Sequence, residues 1–95
     1  MLRNLPHELR KLVRAERAAG VKASRARVAV IAAGFGDLTT SELRAQLTAD
    51  ATSARDKRTI AACVAAIAAH SVAYSSLMQA AAENGLEWWQ IPEYI

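Results

Sequence analysis

His70 and Ser71 stand side by side in the longest uncharged stretch of the chain, and their types come nearest to a base and a nucleophile. Such a pair must meet in space, with a third group orienting the histidine and donors holding an oxyanion. The surrounding sequence supplies neither, so His70 reads as a buried or edge histidine with one hydrogen-bond partner. Cys63, the single cysteine, lies among alanines and reads as a small hydrophobe. It excludes an internal disulfide and a cysteine-built structural zinc site, and it suits a reducing, cytoplasmic interior. His7 and His70 do not have metal-ligand spacing, and the nine acids form no pair that singles out a carboxylate dyad. No catalytic residue, metal site or cofactor is expected, and the chain does not read as an enzyme.

Basic residues form the more informative pattern. The net charge is +3, yet residues 1–27 hold eight Lys and Arg against Glu8 and Glu16, while the remainder is net acidic. Arg10, Arg14 and Arg17 recur on one side of a helical repeat. A second cluster, Arg55, Lys57 and Arg58, immediately precedes the uncharged stretch. Such a distribution suits nucleic acid or an acidic protein partner, although solvated helix faces commonly carry similar charges.

These side chains must be positioned by helices. Ninety-five residues suffice for one domain with a single core, and alanine supplies much of the apolar fraction, which favours closely packed helices. In the stretch from Thr59 to Ala82, ten of 24 residues are alanine. Ile60, Val64, Ile67, Tyr74 and Met78 fall on one helical face there, with Ala61, Ala65 and Ala68 beside them where a neighbouring helix can approach closely. Ser53 and Asp56 have capping spacing, and Asn84 with Gly85 forms a stop, which predicts one long or slightly kinked helix over residues 54–83. The stretch is long enough to span a bilayer. Its alanines, serines and His70 contribute little to insertion, so a buried helix with no membrane contact is the expectation.

Three further helices are predicted. Pro6 opens one over residues 5–19, with Leu5, Leu9, Leu12 and Val13 as its stripe and Gly20 as its stop. Arg27 to Gly36 has a superficial look of a dinucleotide-binding strand and turn, but glycines would be needed at Ala32, Gly34 and Asp37, and only Gly34 fits. Residues 24–33 therefore read as a second helix, capped by Ser24, with Val28 and Ile31 inward and Gly34 ending it. Thr39 and Glu42 form a capping box, flanked by the staple pair Leu38 and Leu43, which predicts a third helix over residues 40–48. The whole, residues 1–95, is expected to be a single all-α domain, a compact bundle of about four helices around the Ala-rich central one.

The run from Val28 to Ser71 combines a short apolar helix, the segment GDLTTSEL with its capping box, a polar turn over residues 48–53, and a helix that opens with Arg55, Lys57 and Arg58. In this it resembles helix-turn-helix and winged-helix DNA-binding domains. The resemblance implies that the second helix enters the major groove of duplex DNA, that Arg55, Lys57 and Arg58 contact it, and that Arg10, Arg14 and Arg17 lie along flanking phosphates.

The alternative is a helical protein-interaction module, such as a small inhibitor or assembly adaptor. Residues 82–95 hold Trp88 and Trp89 with Ile91, Tyr94 and Ile95, and this aromatic tail either folds over the core as a lid or docks on a partner. The Ala-rich face also permits an antiparallel homodimer under either function.

Overall fold

The computed structural model describes residues 7–91, apart from the side chain of Trp88. Three α-helices carry the fold: α1 (His7–Ala32), α2 (Thr40–Thr48) and α3 (Ala54–Glu83), followed by a short 3-10 helix, Trp88–Gln90. Among the described residues there is no strand. The predicted opening of the first helix at Leu5 and Pro6, and the tail residues Pro92, Tyr94 and Ile95, lie outside the described residues.

The helices expected over residues 5–19 and 24–33 are one continuous helix. Gly20 does not adopt the left-handed conformation of a stop; among the described residues positive φ is confined to Gly34, Gly36 and Gly85. Ser24 is accordingly an exposed mid-helix residue and not a cap. A glycine inside a helix costs about 1 kcal/mol relative to alanine. Here its missing side chain has a structural use, because a Cβ at Gly20 would sit 3.2 Å from Nε2 of His70.

α1 and α3 form an antiparallel hairpin. Leu9, Val13, Glu16, Gly20, Ala23, Arg27 and Val30 recur along α1 at alternating steps of four and three. Ile60, Cys63, Ile67, His70, Tyr74, Leu77 and Ala81 do the same along α3. Two such heptad seams pack side by side with a shallow crossing. Leu9 and Val13 meet Leu77, Ala81 and Ile91 in one buried cluster. Val30 meets Leu43, Ile60 and Cys63 in another, at the opposite end of the hairpin. Val64 and Ile67 pack against this second cluster and Met78 against the first, as their spacing predicts, whereas Tyr74 is largely exposed.

α2 covers one end only. Leu43 is its buried residue, with Leu38 and Leu47 beside it. Its start follows from local chemistry. The Thr39 N–H donates to Glu42 Oε1 at 2.9 Å, and the Glu42 N–H donates to Thr39 Oγ1 at 3.2 Å, completing the capping box. The Asp56 N–H likewise donates to Ser53 Oγ at 3.1 Å and opens α3, which runs unbroken past His70. Both long helices end in the paired bonds of a Schellman motif. Phe35 N–H reaches Val30 O and Gly34 N–H reaches Ile31 O; Leu86 N–H reaches Ala81 O and Gly85 N–H reaches Ala82 O.

The expected compact four-helix bundle is therefore a three-helix rod, 51 × 20 × 18 Å. Its radius of gyration is 16.3 Å, against about 12 Å for a compact domain of this length. Fusing two helices into α1 leaves no fourth α-helix among the described residues to cover the hairpin. It also sets the phase of the whole of α1 from Leu9 and Val13. Residues 23, 26 and 30 then face the core, and Val28 and Ile31, expected inward, are exposed.

Candidate interaction surfaces

Arg55 and Arg58 are exposed on the first turns of α3, and Lys57 is half-buried. Arg55 also borders a groove of about 470 Å³ with Ala29 and Ala32 from the last turns of α1 and with Ala33 just beyond it. Arg14 and Arg17 are exposed in the first half of α1. Arg10 is half-buried, and its Nε is buried with no hydrogen-bond partner among the described residues. Between Ala32 and the three α1 arginines the helix rises about 22 to 33 Å. The two basic clusters thus lie at different levels of the rod and do not converge. The helix expected to enter a DNA groove is the longest among the described residues, and its inner face seats α1 along its length.

Midway between the apolar clusters lies a polar contact. Glu16 is only 7% exposed, and its Oε2 is 2.9 Å from His70 Nε2. His70 thus has the single-partner character expected of it, while Glu16, its partner across the hairpin, was not legible from α1 alone. Around this pair a concavity of about 550 Å³ opens to solvent, bordered by Gly20, Val21, Ser24, Arg25 and Tyr74. Ser71 is exposed. Cys63 is fully buried in the Ile60 cluster, as a small hydrophobe should be. Among the described residues no group of His, Cys, Asp or Glu is placed to hold a metal ion.

At the other side of the second cluster, Arg27 Nη1 donates to Leu38 O at 3.2 Å and lies 3.6 Å from Asp37 Oδ1. This ties the α1–α2 connection to α1 and orders the approach to the capping box.

The C-terminal tail divides between lid and surface. Ile91 is buried and Leu86 packs on the same cluster, so these two aliphatic residues close the end of the core. Trp89 is 54% exposed. The side chain of Trp88 lies outside the described residues.

The widest uncovered surface is on the long helices. Val28 is 63% exposed and Val72 67%. Ala61, Ala65 and Ala68, expected beneath a neighbouring helix, are exposed because no element among the described residues reaches that side of α3. α3 is long and apolar enough to cross a membrane, with a mean hydropathy of 1.6 in an 18-residue window, of which only 22% is buried. No protein-family model matches this sequence, and no curated protein or solved structure matches it either.

Proposed function

We propose that the chain is a helical protein-interaction module, an adaptor or small inhibitor that contacts its partner through helix faces its own fold leaves uncovered. The exposure of Val28 on α1 and Val72 on α3, large aliphatic side chains that the fold leaves in solvent, is the observation that supports this. On α3, Val72 lies among the exposed Ala65, Ala68 and Ala69, and an uncovered apolar helix face of this kind marks a contact site. Trp89, half in solvent beside the anchored Ile91, adds an aromatic anchor of the type that dominates interfaces.

Duplex DNA is the second reading. The exposed Arg55 and Arg58 support it, because they surround a helix amino terminus whose free N–H groups and dipole attract phosphate. Its weakness is geometric. Arg10, Arg14 and Arg17 are too far along α1 to flank the same few base pairs as a helix entered at Arg55.

A photo-crosslinking scan in the producing cells tests the first reading. A photoreactive residue at Val28, Val72 or Trp89 should give discrete protein adducts, and one at the exposed Arg44 should give none. Adducts to DNA from Arg55 and Arg58, with no protein adduct from Val28, Val72 or Trp89, would overturn it.

A further inference from the structure

From Arg58 a line at alternating steps of four and three runs along α3 through Ala62, Ala65, Ala69 and Val72 to Glu83. Every residue on it is exposed. This second heptad seam lies on the side of α3 away from α1, and no element among the described residues covers it. It is basic at one end, acidic at the other and uncharged between.

We infer that a second copy of this chain covers it, the two α3 helices pairing antiparallel about a two-fold axis that passes between His70 and Ser71. This rests on the interaction-module reading and names its partner. In that register Ala69 meets Val72 of the second copy, and Arg58 meets its Glu83, twice by symmetry. The pattern is self-complementary, as a two-fold contact requires. The antiparallel arrangement also sets each helix dipole against the other. Alanine at the central positions lets the backbones approach closely, with valine filling the space beside them.

A bilayer is the competing occupant for so apolar a helix. Alanine and serine gain little from lipid but suit close helix contact, and the paired charges at the two ends match a second helix better than they match a hydrocarbon slab.

Sedimentation equilibrium of the full chain tests this. The wild type should sediment as a dimer, and Ala69→Glu or Val72→Glu should sediment as a monomer with unchanged helical circular dichroism. Arg58→Glu alone should weaken the dimer, and Arg58→Glu combined with Glu83→Arg should restore it, a rescue that loss of folding cannot mimic. A monomeric wild type, a dimer indifferent to Ala69→Glu and Val72→Glu, or a charge reversal without rescue would overturn the proposal. So would a monomer that sediments with vesicles of phosphatidylcholine and phosphatidylglycerol. Each of these outcomes removes self-pairing alone, since protein adducts at Val28 or Trp89 decide the wider reading separately.

Discussion

The imidazole of His70 and the carboxylate of Glu16 meet at 2.9 Å across the hairpin, between two apolar clusters that lie at its opposite ends. A polar contact at a seam position specifies register, because sliding one helix by a turn would place the carboxylate against Ile67 or the ring of Tyr74. His70→Ala removes this hydrogen bond and should cost about 0.5 to 1.5 kcal/mol. Replacing both residues by leucine should recover much of that loss. Urea melts of the single and double variants measure it, and a double variant as weak as the single would contradict the register argument.

Gly20 and His70 are coupled in the same layer. Gly20→Ala alone should gain less than the roughly 1 kcal/mol that alanine offers a helix interior. The new Cβ would stand 3.2 Å from the His70 ring. In a His70→Ala background the full gain should return, so the double-mutant cycle should give a nonzero coupling energy. Additive effects would mean that the ring moves aside freely.

The capping box predicts an acid-dependent helix start. The Thr39 backbone N–H, and then its side chain, hold the Glu42 carboxyl below its ordinary value of 4.5. A depressed carboxyl contributes stability that is present above its unfolded value and lost as pH falls through its folded one. Wild type should therefore exceed Glu42→Gln in melting temperature at neutral pH, and the gap should close once the pH is below the folded value. Thr39→Ala should cost about 0.5 to 2 kcal/mol at neutral pH. A gap that persists in acid would mean that the carboxylate is not what the box uses.

Core substitutions should grade with burial. Ile60 is fully buried, and Ile60→Ala should cost about 2 to 5 kcal/mol. Ile67 is half-buried and should cost less. Ala61→Leu, an overpacking change if a helix lay above it, should leave the single chain near wild-type stability because Ala61 is exposed. Denaturant melts at a concentration where the chain is monomeric check all three. A loss above about 1 kcal/mol for Ala61→Leu would place a neighbour over that face.

The features legible in the sequence were those whose causes are local. Thr39 with Glu42, and Ser53 with Asp56, satisfy amide groups within one helical turn, and α2 and α3 start where those pairs predict. Gly34 and Gly85 end their helices for equally local reasons. Gly20 misled because the reason for a glycine there is His70, fifty residues away and on another helix. Reading two helices in place of one then reset the phase and turned Val28 and Ile31 inward. The same error added a fourth helix to the expected bundle. The basic clusters were found as residues, but only the fold shows how far apart α1 holds them.

The most direct measurement is a titration of the wild-type chain against mixed-sequence duplex DNA at two salt concentrations. A protein-interaction module should bind weakly and without sequence preference, and changing Arg55, Lys57 and Arg58 to alanine should alter little beyond that weak attraction. Tight binding would contradict the account if its logarithmic salt slope flattened by about three phosphate contacts, near 0.9 each, in the triple variant while the fold stayed intact.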